Sequence, residues 1–330
     1  MIEISSLADA IRPFWLRGLN EISGHCKKEL KGWINDEAFQ VYVAPTETSF
    51  TLAVSEPLPL LKAYAAEINR VSTASNETVA SILTAPLVKK SVAWLIIQTY
   101  YAAFFAAHGL IRLLGTSCLP LESRQLRSVE KISKLFGQEP SGPIGGGLYQ
   151  VTFDSVAKEI RACQLKSMKA GPHEAFWRLF CEHLENISSK VLQSPTLTTA
   201  SSQGAAGKLT EITSNLRFGN TGQGAWLSSI RNRVNYDQSW ATWYPYSERQ
   251  TYYDDLVRRI DEWQLDPMDI DLVSHQDHDL RRFQATCNAI MALTRSTIED
   301  MANRCSAGKS FHDFGSLAFQ RMCRSVARTT

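Results

Sequence analysis

The stretch Ala93 to Gly115, AWLIIQTYYAAFFAAHGLIRLLG, limits the folds open to this chain more than any other segment. Trp94, Ile97, Tyr101, Phe104 or Phe105, and His108 recur at three- and four-residue steps, which lays a broad aromatic stripe along one side of a helix. Ala102, Ala103, Ala106, Ala107 and Gly109 leave room for another helix to approach closely. The pattern predicts a helix over 87–114 at the centre of a helical core. Gln98, Thr99, two tyrosines and His108 interrupt the apolar run before it could span a bilayer, so it is read as a buried helix and no membrane is expected. His108 and Arg112 lie one turn apart at the polar end. A histidine here serves either as a hydrogen-bonded core residue or as a chemical group.

Around that helix the chain reads as mostly helical. Residues 5–33 carry Leu7, Ile11, Trp15, Leu19 and Ile22 at helical spacing. Two alternating runs follow, 39–43 and 49–54, separated by Ala44-Pro45-Thr46-Glu47-Thr48, which predicts a β-hairpin and the only sheet signal. Further helices are expected near 58–72, 76–83, 121–136, 152–166, 172–194, 223–236, 247–263 and 276–306. Glycine and proline mark 137–150 as a loop, and the small, polar stretch 194–208 reads as a flexible loop or linker. The expected architecture is all-α: an antiparallel helical bundle over 57–330, with a flexible insertion around 194–210. A small appendage of helix and hairpin over 1–56 precedes it.

The most polar cluster is Ser228-Ser229-Ile230-Arg231-Asn232-Arg233-Val234-Asn235-Tyr236-Asp237. On a helix Arg231 shares a face with Asn235, and Asn232 with Tyr236, giving one edge of cations, amides and a phenol. Such an edge suits a phosphate, because the guanidinium fork matches phosphate oxygens. The competing reading is a structural network in which Arg231 pairs with Asp254 or Glu262. Just downstream, Trp240-Ala241-Thr242-Trp243-Tyr244-Pro245-Tyr246 groups aromatics that could stack bases, bury against a partner, or cap the core.

Tyr100-Tyr101-Ala102-Ala103-Phe104 on one helix, followed later by Arg231, Arg233, Tyr236 and Asp237 on another, resembles the HEPN superfamily of helical nucleic-acid-linked domains. The resemblance covers about 58–194 and 220–306. It implies a HEPN-like bundle, and a role on RNA in a prokaryotic toxin–antitoxin or antiviral defence system. It also implies a homodimer and a cognate antitoxin or defence-system protein as partner. HEPN ribonucleases work without a metal, arginine steadying the phosphate and a histidine moving protons. Carried onto this chain, Arg231 and Arg233 hold the phosphate and Tyr236 or His108 assists proton transfer. Asn232, Asn235, Asp237, Trp240, Trp243 and Arg112 line the RNA or nucleotide site. This chain has Tyr236 where the histidine would stand, and a phenol titrating near ~10 moves protons poorly at neutral pH compared with imidazole near ~6.5. An inactive scaffold or nucleotide-sensing subunit is therefore the alternative.

Other signals exclude more than they assign. A net charge of +2 gives no global pull on nucleic acid, so any RNA contact must be a local patch. Seven scattered cysteines without a Cys-x-x-Cys pair point to reduced thiols and a cytoplasmic protein. Gly142-Pro143-Ile144-Gly145-Gly146-Gly147 lacks the Gly-Lys-Ser/Thr of a phosphate loop. His275 and His278, with Asp277 and Asp279, have metal-like spacing but no matching ligand pair, so neither metal nor cofactor is expected.

Overall fold

The computed structural model describes residues 5–22, 26–83, 91–165, 171–219, 223–237, 239–243, 256, 258–274, 278–305 and 315–327. Most of them are helical, with one small antiparallel sheet. The helices are α1 (Ser6–Ile11), α2 (Leu30–Asn35), α3 (Pro57–Leu83), α4 (Val92–Leu113) and α5 (Ser123–Leu135), then α6 (Pro172–Leu192), α7 (Thr199–Leu216), α8 (Trp226–Tyr236), α9 (Asp279–Asn303) and α10 (Ser316–Ala327). The strands are β1 (Ser49–Ala53), β2 (Thr116–Leu121), β3 (Gly147–Asp154) and β4 (Glu159–Gln164), in the order β1-β4-β3-β2.

The long helix expected from the aromatic stripe is α4, and its small face works as the alanine pattern demands. Ser75 of α3 donates its hydroxyl to the Ala102 carbonyl at 2.8 Å, and Thr294 of α9 donates to the Ala106 carbonyl at 3.1 Å. A methyl group on Gly109 would lie 2.6 Å from Ser72 Oγ, so only glycine allows α3 this close. By length and composition α4 could cross a membrane, but 67% of its most apolar window is buried inside the protein.

Two apolar clusters build the interior. One joins α4 with α6, α7, α8 and α9; the other lies beneath the sheet, between it and α2, α3 and α5. Alternation places Phe50, Leu52, Tyr149, Val151, Phe153, Ile160 and Ala162 on the inward face of the sheet.

Several expectations are corrected. The hairpin of 39–43 with 49–54 does not form: β1 pairs instead with β4, in the register Thr51 to Arg161, and Gln40 makes only an isolated bridge to Ala53. The first 56 residues thus share a sheet with the middle of the chain. The helix expected over 152–166 is the β3–β4 hairpin. Asp154 turns the chain there, its Oδ1 accepting the amide hydrogens of Val156 and Ala157 at 2.9 and 3.0 Å. The linker expected over 194–208 contains the start of α7, capped by Thr198, whose Oγ1 accepts from the Ser201 amide. Its small residues serve close packing on α6, where Ser188 donates to the Ala206 carbonyl. The helix expected over 5–33 is broken by Pro13 and by Gly18, the latter at φ +87°. Helices 58–72 and 76–83 are one, α3, while α10 had no expected counterpart. Most of 247–263 lies outside the described residues.

Candidate functional site

The aromatic stripe of α4 meets the start of α6. Gly171, at φ +84°, and Pro172 in the first helical position open α6 and place His173 in its first turn. His173, Phe176, Trp177 and Phe180 then recur at helical spacing, and the first three meet the rings of α4. Phe104 lies 4.5 Å from the His173 ring and 4.9 Å from Phe176, centroid to centroid. The third wall is α8, which packs against α4 and brings Ser228 and Arg231 to the same place.

At the centre stands the Tyr100 hydroxyl. It accepts a hydrogen bond from Trp177 Nε1 at 3.0 Å and lies 3.0 Å from His173 Nδ1. With its lone pair engaged by the indole, the phenol is placed to donate to Nδ1, which leaves the imidazole hydrogen on Nε2. Ser228 of α8 lies beside this hydroxyl. Burial pushes the Tyr100 pKa up to about 12, so it stays a phenol. Burial, and then the Arg231 cation, lower His173 to about 4, so at neutral pH it is an uncharged base.

The Arg231 guanidinium sits 5.4 Å from the centre of the Tyr100 ring. Its Nη1 donates to Asn232 Oδ1 at 2.9 Å, and its buried Nε has no hydrogen-bond partner. No carboxylate pairs with it among the described residues. Glu262, one expected partner, bonds Arg259 and Asn288 instead; Asp254, the other, lies outside the described residues. The result is a partly buried cation beside an imidazole and a phenol, with unused donor capacity.

The remaining sequence candidates separate into two other places. Arg112 is turned inward: its Nε lies 2.6 Å from Glu67 Oε2, with the two side chains 5% and 1% exposed. Arg112 Nη1 donates to His108 Nδ1 and to the His108 carbonyl, each at 2.9 Å. His108 stacks on Phe176 at 3.6 Å, and burial, then Arg112, hold its pKa well below the usual imidazole value. His108 and Arg112 thus belong to an internal ion-pair cluster, not to the Arg231 pocket, although α4 packs against α8.

Arg233 and Tyr236 project away from the pocket. Arg233 lies 4.2 Å over the Trp240 ring and 3.4 Å from Asp279 Oδ2, while Tyr236 is 74% exposed. Asn235 is partly buried on the same helix, and Asp237 is the exposed C-cap of α8. Trp240 adopts φ +62°, and Trp243 Nε1 donates to the Val234 carbonyl at 2.8 Å. The Thr242 carbonyl accepts from the Ala93 amide, so residues 239–243 clamp the end of α8 to the start of α4. Tyr244, Pro245 and Tyr246, like His275 and Asp277, lie outside the described residues. Among the described residues no cluster of histidine, cysteine, aspartate and glutamate could hold a metal ion. The glycine-rich 142–147 loop is tied down by Gly145 N to the Glu47 carbonyl and by Ile144 N to Glu130.

Sequence reasoning missed His173. Its signal was Gly171-Pro172-His173, a helix start whose first face residue is a histidine leading into Phe176 and Trp177. Comparisons of this chain with protein-family models, with curated proteins and with solved structures returned no match.

Proposed function

We propose that this chain is a HEPN-like RNA-binding protein whose Arg231–His173–Tyr100 pocket receives a phosphodiester and promotes its metal-independent cleavage. The observation that carries the reading is the partly buried Arg231 guanidinium, uncompensated by any carboxylate among the described residues and set beside a neutral histidine. An unneutralised, partly desolvated guanidinium favours an anion with several acceptor oxygens. A phosphate arriving there opposes the Arg231 field and raises the His173 pKa toward neutrality. Once the Tyr100 hydroxyl turns away from Nδ1, that nitrogen takes the proton of an attacking 2′-hydroxyl, and the imidazolium so formed returns a proton to the departing 5′-oxygen. His173 thereby supplies the imidazole that the α8 motif lacks at Tyr236. A homodimer, a cognate antitoxin or defence-system partner and a cytoplasmic location complete the proposal, drawn from the HEPN resemblance and the scattered cysteines.

One observation favours a second reading. Tyr100 already engages His173 Nδ1, so the pocket could bind RNA or a nucleotide without cutting it, as a scaffold or sensor does. Incubating total RNA with the wild type, Arg231→Ala and His173→Ala, with EDTA present, separates the two. Cleavage is expected for the wild type alone. Arg231→Ala should weaken binding by about 10-fold or more, the worth of a charge-assisted hydrogen bond. Binding without cleavage selects the second reading, and absence of both refutes the pocket. Sedimentation equilibrium tests the dimer.

A further inference from the structure

The exposed side of α5 carries Arg124, Arg127, Lys131 and Lys134, all solvent-facing. At about 100° per residue they fall within an arc of roughly 80°, and at 1.5 Å per residue they span about 15 Å. Lys131 pairs with Glu37, and the nearby Glu122 faces Lys31. Arg124, Arg127 and Lys134 have no acidic partner among the described residues. Just past the C-terminal end of α5, about 160° round its axis from the middle of that row, Tyr42 and Phe136 meet edge to face at 6.0 Å and 83°, and both rings remain open to solvent, 62% and 41% exposed. Leu135, 71% exposed, adjoins them.

We propose that α5 and the Tyr42–Phe136 ring pair form a contact surface for single-stranded nucleic acid, separate from the Arg231 pocket. A row of four cations, three of them without a carboxylate partner among the described residues, follows a phosphate backbone, and open aromatic faces beyond the end of α5 stack unpaired bases; single-strand binders combine these two features. The surface does not suit a bilayer. The apolar side of α5, with Leu126, Val129 and Ile132, is buried in the cluster beneath the sheet and cannot insert. An acidic peptide would satisfy the cations but leave the rings without stacking partners. The surface stands apart from the pocket because α5 belongs to the sheet-side cluster, whereas α8 belongs to the other.

The test uses the full chain and a fluorescein-labelled oligouridine of about 12 nucleotides, with anisotropy read across a salt series. Three to four phosphate contacts give a slope of log K against log salt of about −2 to −3. Arg124→Ala with Arg127→Ala, two surface changes that leave the core intact, should make the slope shallower by about 1.4. Tyr42→Ala with Phe136→Ser should weaken binding at least about fivefold without changing the slope. Arg231→Ala should preserve the α5-dependent part of the slope. The proposal is overturned if oligouridine does not bind at about 50 mM salt, or if the Arg124/Arg127 variant binds like the wild type. It is equally overturned if phosphatidylserine vesicles or a polyglutamate peptide bind as tightly and through the same residues, which would mark a general anion surface.

Discussion

Removing Glu67 should expose how much of the interior depends on one ion pair. Its carboxylate accepts from the Leu30 amide at 3.0 Å through Oε1 and from Arg112 Nε at 2.6 Å through Oε2, with the side chain 1% exposed. Glu67→Gln retains an oxygen for Leu30 but leaves the Arg112 charge buried with only His108 as acceptor, which should cost about 3–5 kcal/mol. Arg112→Met strands the carboxylate instead and should cost a similar amount. The double variant Glu67→Gln with Arg112→Met removes both charges and keeps an oxygen for the Leu30 amide, leaving mainly the new side-chain amide hydrogens without an acceptor, at about 1–3 kcal/mol. The sum of the single effects is then about 6–10 kcal/mol, so the coupling should exceed about 3 kcal/mol. Urea unfolding followed by near-UV circular dichroism measures all four proteins. If Glu67→Gln lies within about 1 kcal/mol of the wild type, or if the double variant costs as much as the sum, the buried-pair argument fails. The same double variant should retain RNA affinity within about twofold, because neither group faces the Arg231 pocket.

Three glycines should respond differently to alanine. Gly109→Ala meets Ser72 Oγ at 2.6 Å, and Gly224→Ala, at φ +91°, meets Cys181 Cβ at 2.5 Å. Each should lose about 1–3 kcal/mol in thermal unfolding. Gly207, inside α7 with nothing within 4 Å, should gain about 0.5–1 kcal/mol as alanine, and a loss there would contradict the open face of α7. His173 and His183 both titrate near 4 in the folded protein, chiefly because of burial, so the unfolded chain takes up more protons below about pH 6.5. Their contribution to stability is therefore complete above about 6.5 and is lost as pH falls toward 4; a melting temperature that stays flat from pH 7.5 to 4.5 would refute this. Tyr100→Phe removes the acceptor for Trp177 Nε1 and the partner of His173 Nδ1, and should cost about 1–3 kcal/mol. Unchanged unfolding in Tyr100→Phe would show that water replaces the hydroxyl.

Helices with a wide apolar face were legible from their spacing: α4, α5, α6, α8 and α9 lie within the expected ranges. The sheet was not. Tyr149, Val151 and Phe153 alternate clearly, but the glycine-rich lead-in and the following Ser155-Val156-Ala157-Lys158-Glu159 drew the strand into a helical reading. The partner of β1 is β4, far along the chain, so no local pattern could reveal the pairing. α7 was hidden because Ala205 and Ala206 are both the composition of a linker and that of a close helix contact. At the site, Arg231 and Tyr100 stood out as residue types, but His173 joins them only through the packing of α6 on α4.

The separation of His108 and Arg112 from the Arg231 pocket follows from the geometry of α4 itself. Twelve positions part Tyr100 from Arg112, so at 1.5 Å per residue the two lie about 18 Å apart along the axis, and at 100° per residue about 120° apart around it. A helix that offers Tyr100 to α6 and α8 must therefore offer Arg112 to a different neighbour at its other end. That neighbour is α3, drawn close by Gly109, and its Glu67 supplies the charge that a buried guanidinium requires. The aromatic stripe between them, Phe104 on His173 and His108 on Phe176, fills the gap with rings instead of a polar path. One helix thus serves two polar stations with opposite demands: Arg112 of α4 is neutralised inside the protein by Glu67, while Arg231 of α8, packed beside Tyr100 of α4, has no carboxylate partner among the described residues.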